Sequence, residues 1–170
     1  NIDYVIHCAS MTNAEKSFGK EKQMYKNNID CLKTVIKFCK KNRIELFLSN
    51  NVKLALKLKL NGAYISAYNK EFRFKIFNLK KNFKLLGSAH NLFEVNTKKM
   101  QNIKEIFISP IFKYKNRSPF GIHKCRFFFD DQSYKKVALG GVNFSNINLL
   151  LITKFIGLAG ISLFKKKGPK

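Results

Sequence analysis

Apolar positions along this chain fall into short β-branched and aromatic runs, each closing on small or turn-forming residues. Such runs cover residues 4–9, 45–49, 63–65, 83–86, 105–108, 136–139 and 156–159, and they read as buried strands. Between them the spacing changes toward a helical period. Over 21–41, Met24, Ile29, Leu32, Val35, Ile36 and Cys39 recur near every 3.6 residues, and Asn42-Arg43 closes the stretch. Residues 52–60 carry Val52, Leu54, Ala55, Leu56, Leu58 and Leu60 and are predicted helical. Asn61-Gly62, a pair that tolerates left-handed backbone, is expected to stop that helix. Asn91 is a good N-cap for a helix over 92–100, and Asn143 or Ser145 caps one running to Thr153. Residues 69–82 carry a weaker pattern, whose Phe and Lys content permits a short helix that packs aromatics. Residues 113–121 read as turn, punctuated by Pro119 and Gly121, and 127–134 suits helix and strand equally.

About seven strands separated by helices or helix-length connections predict a parallel sheet. The expected fold class is α/β, a (β/α)8 TIM-barrel-like array, incomplete, because eight strands would be needed to close it. Strand ends then become the place to look for chemistry. Four of them carry Leu86-Gly87-Ser88-Ala89-His90, Ser109-Pro110-Ile111-Phe112, Leu139-Gly140-Gly141-Val142-Asn143 and Gly160-Ile161-Ser162. In parallel α/β folds ligands sit at the carboxyl ends of strands, and Gly, Ser and Asn there let backbone N–H groups approach an anion. Two successive glycines, Gly140-Gly141, suit backbone contact with phosphate better than ordinary packing. An unclosed sheet also leaves a strand edge, which a second copy in a homodimer would cover.

Composition changes this picture in two places. The chain has 33 basic and 10 acidic residues, a formal charge of +23. Its lysines are spread over nearly every segment, without a zinc-finger spacing, an RNA-binding sheet signature or a Gly-x-x-Gly clamp, so they read as solvated surface and no nucleic-acid partner is expected. Four cysteines (Cys8, Cys31, Cys39, Cys125) form no Cys-x-x-Cys pair, and no signal peptide precedes them, so free thiols and a cytoplasmic location are expected. The apolar stretch 149–164 is broken by Lys154 and small residues and is too short to span a bilayer, so no membrane partner is expected.

Residues 44–164 resemble the thiamine phosphate synthase/TenI family of small (β/α)8 barrels. The resemblance rests on Ser49-Asn50-Asn51-Val52-Lys53-Leu54-Ala55-Leu56, on Asn61-Gly62-Ala63-Tyr64-Ile65, and on the four strand-end motifs in the family's order and spacing. It implies coupling of an aminopyrimidine methyl diphosphate to a thiazole phosphate with release of pyrophosphate, so phosphorylated thiamine precursors are the expected partners. It further implies that Ser88 lies near the leaving group and that Lys115 or Arg117 binds the diphosphate. Gly140, Gly141, Ile161 and Ser162 would cradle the thiazole phosphate. His90 is expected to order its loop by hydrogen bonding, the alternative being a proton shuttle. The family's cofactor is Mg2+ on aspartates, but the matching positions hold Asn50 and Asn69, and neutral amides bind Mg2+ weakly. A TenI-like, non-catalytic binder of thiazole or thiamine phosphates is therefore the alternative reading.

Residues 1–43 resemble a βα fragment of an NAD-dependent sugar-nucleotide epimerase/dehydratase, through Asp3-Tyr4-Val5-Ile6-His7-Cys8-Ala9-Ser10, Asn13-Ala14-Glu15-Lys16-Ser17 and Tyr25-Lys26-Asn27-Asn28. No glycine-rich phosphate turn precedes the segment, and no tyrosine is followed four places on by lysine, so NAD is not expected to bind. The domain organisation expected is thus 1–43, a barrel portion over 44–164 and a basic tail over 165–170, with the first strand and helix standing in for one βα unit of the barrel.

Overall fold

The computed structural model describes residues 4–7, 21–73, 77, 80–114, 118–128 and 132–160. Two units divide the chain, one within 1–64 and 82–84, the other within 65–81 and 85–170. In the first, strand β1 (Tyr4–His7), helix α1 (Glu21–Asn42), β2 (Glu45–Ser49), α2 (Val52–Lys57) and β3 (Gly62–Ile65) alternate. β2 is central, pairing in parallel with β1 (Tyr4 opposite Glu45) and with β3 (Phe47 opposite Gly62). Its Leu46, Phe47 and Leu48 are all buried, as expected of a strand covered on both faces. Cys39, Val52, Ala55, Leu60 and Ala63 complete the apolar interior of this unit.

The second unit holds β4 (Lys84–Ala89), α3 (Leu92–Met100), β5 (Glu105–Ile108), α4 (Ile122–Phe128), β6 (Lys135–Leu139), a 3-10 turn over Ile147–Ile152 and β7 (Gly157–Ala159). Its strands pair in sequence order and in parallel: Ala89 opposite Ile108, Ile108 opposite Ala138, Leu139 opposite Ala159. Four strand carboxyl ends therefore share one edge. The architecture is α/β, TIM-barrel-like and incomplete, with seven parallel strands among the described residues. No described helix is long and apolar enough to cross a membrane.

Three helices end by one device. Arg43, Lys59 and Asn102 take left-handed backbone, at φ of 56°, 53° and 59°. The next N–H then reaches back five residues, from Ile44 to Cys39 O, Leu60 to Ala55 O and Ile103 to Lys98 O, at 2.9 to 3.0 Å. This satisfies an orphan carbonyl, and it tucks Leu60 and Ile103 into the core.

Several predicted elements differ from those observed. α2 stops at Lys57, and the left-handed residue is Lys59, because Gly62 already opens β3 and the Asn61 side chain is engaged with β2. Asn61 Oδ1 accepts from Leu46 N at 3.0 Å. Gly62 is required for space, since a Cβ there would lie 2.0 Å from Lys84 O and 2.7 Å from the Phe47 ring. The described part of 66–82 has no α-helix, and 147–152 winds as 3-10 where an α-helix was predicted. α4 was not predicted, because its apolar residues lie among the basic and turn-forming residues around Pro119 and Gly121. Ile122 and Cys125 are buried, three apart on one face.

Arg43 and Lys59 hold a conformation that costs a residue with a Cβ about 1 kcal/mol, which glycine escapes. Arg43→Gly and Lys59→Gly are each expected to raise unfolding stability by ~0.5–1 kcal/mol in urea titrations.

Candidate functional site

The shared strand edge of the second unit brings together the motifs after β4, β5 and β6. Ser88 is buried near the end of β4. The exposed His90 follows, with its Nδ1 2.7 Å from Ser109 O. Ser109 N donates to Ala89 O at 3.0 Å, so the turns after β4 and β5 are tied in both directions. Asn91 and Glu94 hold the start of α3. Asn91 Oδ1 accepts from Glu94 N at 2.8 Å, and Glu94 Oε2 accepts from His90 N at 2.6 Å, a reciprocal arrangement close to a capping box.

The turn after β5 is bound as tightly to the turn after β6. Ile111 N donates to Leu139 O at 3.0 Å and Phe112 N to Gly140 O at 3.2 Å. Gly140 and Gly141 both have positive φ, 85° and 73°. A Cβ at 140 would meet Ser109 Oγ at 2.8 Å, and one at 141 would meet Phe112 O at 2.7 Å and Lys113 O at 2.8 Å. The two glycines are thus demanded by backbone conformation and by the passage of residues 109–113. Asn143 Oδ1 accepts from Ser145 N, Ser145 Oγ and Asn146 N, which orders the start of the following turn. Asn146 in turn donates from Nδ2 to Gly141 O at 2.8 Å and accepts on Oδ1 from Asn143 N. The carbonyls of 139, 140 and 141 are all engaged in this way. Among the described residues, no loop or turn hydrogen bond uses the N–H of Gly140, Gly141 or Val142. Successive amides in such a turn are able to converge on an anion.

Of the site residues expected from sequence, Ser88, His90, Gly140 and Gly141 lie along this edge. Lys115, Arg117, Ile161 and Ser162 lie outside the described residues. Asn50 belongs to the first unit: it has left-handed backbone (φ 53°), its N–H donates to Tyr64 O, and its Nδ2 lies 3.4 Å from Ser49 Oγ. Asn69 belongs to the second unit, where its Oδ1 accepts from Glu71 N at 2.9 Å, a turn within its own backbone.

Asn69 is also held from behind by two side chains that sequence reasoning missed. Lys98 on α3 and Gln101, the C-cap residue one turn further on, are both fully buried. Lys98 Nζ donates to Asn69 O at 2.7 Å and to Gln101 Oε1 at 3.0 Å. Gln101 Nε2 donates to Asn69 O and Glu71 O, both at 2.9 Å. Gly87 leaves room for the lysine stem, since a Cβ there would stand 3.1 Å from Lys98 Cδ. Burial pulls the Lys98 pKa down from 10.5 to about 8, with Glu94 opposing more weakly. The available signal was two polar residues in register with buried Val95, at steps of three.

The donor set does not fit Mg2+. Asn69 offers an amide whose oxygen already accepts a backbone N–H, and its carbonyl faces a lysine Nζ and a glutamine amide. Among the described residues, no three His, Cys, Asp or Glu side chains come together so as to hold a metal ion. Thiol chemistry is no better placed. Cys125 is buried and its thiol is pushed up to about 12 by burial, far from a thiolate at neutral pH.

Parallel strands with polar turns at their carboxyl ends define the TIM-barrel-like class, whose sites are built from strand-end loops. The sequence profile of a family described as thiamine monophosphate synthase, the TMP-TENI family, matches residues 18–164. The chain belongs to that family, which ties it to thiamine biosynthesis. The match begins at residue 18 and so includes α1. No curated protein sequence matches the chain. Among solved structures it resembles thiamine phosphate pyrophosphorylase from Pyrococcus furiosus, at TM-score 0.61 and 16% identity over 93% of this chain and 70% of the other. A cube-shaped protein cage designed by fusing symmetric oligomeric domains gives TM-score 0.59 at 12% identity, over 81% of this chain and 50% of that one. A structure titled native KDPGal gives 0.58 at 12%, over 81% and 66%. At such identities the likeness concerns the fold.

Two measurements check this geometry. Gly141→Ala is expected to cost ~2–4 kcal/mol in urea unfolding, because positive φ and backbone crowding coincide there. Gly157→Ala, with nothing within 4 Å of its Cβ and no positive φ, is expected to change stability by no more than about 0.5 kcal/mol. The second measurement concerns Lys98. Its folded-state pKa lies below the unfolded value, so between pH 8 and 10.5 the unfolded chain binds the extra proton. Stability should therefore rise with pH across that window, by up to ~3 kcal/mol, relative to a Lys98→Met variant.

Proposed function

We propose that this protein binds a phosphorylated thiamine precursor at the carboxyl ends of β4 to β7 and performs thiamine phosphate synthase-type coupling. The observation that carries the reading is the family match across residues 18–164, which takes in the turns after β2 to β7. The thiazole phosphate would sit on the backbone amides following Gly140 and Gly141, together with Ile161 and Ser162. Ser88 would face the departing diphosphate, with Lys115 or Arg117 supplying positive charge to it. In the coupling, the C–O bond between the aminopyrimidine methylene and its diphosphate breaks, and pyrophosphate leaves with the electron pair. The thiazole nitrogen then supplies the pair for the new C–N bond to the cationic methylene carbon. No residue needs to accept a proton in that step, which suits a strand edge whose His90 is engaged with the Ser109 carbonyl.

The engagement of Asn69 by its own turn and by Lys98 favours a second reading, a TenI-like binder of the same phosphates without the coupling step.

Calorimetric titration with thiazole phosphate, followed by a pyrophosphate-release assay with both substrates, tests these readings. Micromolar binding with release of pyrophosphate is the expected result, and Ser88→Ala should slow release ~10–100-fold while leaving thiazole phosphate affinity unchanged. Binding without release would select the second reading. Absence of any heat or thermal shift with thiamine precursors would overturn both.

A further inference from the structure

We propose that this chain takes its phosphate ligand without a divalent metal, its 69–71 segment being organised by the side chains of Lys98 and Gln101. The inference rests on the reading that phosphorylated precursors bind at the strand edge, and it goes beyond that reading by naming what replaces the metal.

The argument starts from what a divalent cation would meet. A hard cation needs oxygen donors, best supplied as carboxylates. Asn69 has two oxygens. Its Oδ1 is held by Glu71 N at 2.9 Å, and its main-chain oxygen accepts from Lys98 Nζ at 2.7 Å and Gln101 Nε2 at 2.9 Å. An ammonium at that carbonyl opposes a cation on the same oxygen by direct repulsion, in a setting where the lysine is wholly excluded from water. The nearest acidic side chain in sequence, Glu71, is paired with the Arg73 guanidinium. Lys70, between them, holds its ammonium 5.6 Å from the centre of the Phe93 ring, so the segment is cationic on its exposed side as well.

The second part concerns what Lys98 and Gln101 do. Three donor contacts from Lys98 and Gln101 converge on two main-chain carbonyls, those of Asn69 and Glu71, and a fourth joins Lys98 Nζ to Gln101 Oε1. A leucine at 98 would fill the space beside Gly87 at lower desolvation cost but would leave the Asn69 carbonyl with one donor fewer. Lys98 is thus a positioning residue: it fixes a strand-end segment from behind through a protein cation.

Three titrations test this. Mn2+, a paramagnetic substitute for Mg2+, is added to the isotopically labelled protein and the amide signals of residues 69–71 are followed. The expected result is no selective broadening at millimolar Mn2+, and selective broadening of those signals would overturn the proposal. Thiazole phosphate affinity is then compared in EDTA and in Mg2+, with a difference below about 2-fold expected and a tightening of about 10-fold or more counting against it. Failure to bind in either buffer would overturn the phosphate reading itself, a result distinguishable from metal-dependent binding. In the last arm, Lys98→Met should lower amide-exchange protection over 69–73 at least ~10-fold, and Mg2+ should not restore it. Restoration by Mg2+ would overturn the proposal. Gln101→Leu, which keeps the lysine, serves the same purpose should Lys98→Met fail to fold, with loss of protection expected and its full retention overturning the clamp.

Discussion

The passage of residues 109–113 across Gly140 and Gly141 is the constraint on which the second unit depends. Side chains cannot exist at 140 or 141 while Ser109 Oγ, Pro110 and the carbonyls of Phe112 and Lys113 stand within 3 Å of the positions a Cβ would take. That crowding binds the end of β5 to the end of β6, and His90 binds the end of β4 to the same turn through Ser109 O. Three strand ends become one edge, to which α3 adds the Glu94 carboxylate that accepts from His90 N. The edge also engages the carbonyls of 139 to 141 with protein donors, the arrangement on which the proposed phosphate site rests.

How much of this was legible depended on whether the physical cause was local. β5 and α3 fall where the pattern put them, because the short apolar run in Glu105–Ile108 and the Asn91 cap are short-range signals. Gly140-Gly141 was read as a ligand cradle, and its conformation is the permissive one expected of glycine. Its crowding by 109–113 comes from a parallel neighbour some thirty positions earlier in the chain, which no local window contains. Gly62 makes the same point in reverse. Asn61-Gly62 carried the usual stop signal, yet the stop is made by Lys59, and Gly62 answers to Lys84 O and the Phe47 ring. α4 was hidden because its apolar residues, Ile122, Cys125, Phe127 and Phe128, directly follow a basic, turn-rich stretch.

α3 shows the most informative departure. A rule that puts apolar residues inward would bury Leu92 and Phe93, but Phe93 is 67% exposed while Lys98 is 0% exposed. Sequence separation of three along Val95, Lys98 and Gln101 defines the inward face, and polar groups at two of its three positions are tolerated because carbonyls meet them there. The connection 66–82, lacking a described α-helix, presents main-chain carbonyls of residues 69 and 71 to its neighbour where a helix would have satisfied its own. Burying Lys98 and Gln101 is the complement of that missing helix. Neither feature is intelligible alone, which is why neither could be read from its own segment.

Charge completes the argument about selectivity. With +23 formal charges spread along its length, the chain attracts any phosphate compound from a distance, and that attraction is screened over about 10 Å at ordinary ionic strength. Such a field raises encounter rates but discriminates little, since a nucleotide, a sugar phosphate and a thiazole phosphate all carry similar charge. Discrimination must come from groups whose reach is a hydrogen bond and whose position is fixed. In the proposed site the strand edge would supply both: amides after Gly140 and Gly141 held by crowding, and His90 held to Ser109 O. Where lysines are this abundant, a divalent metal adds least to the long-range attraction. Lys98 and Gln101 hold the Asn69 carbonyl through contacts of 2.7 to 2.9 Å, and in the metal-free binding proposed above this ordering would take the place of a metal's.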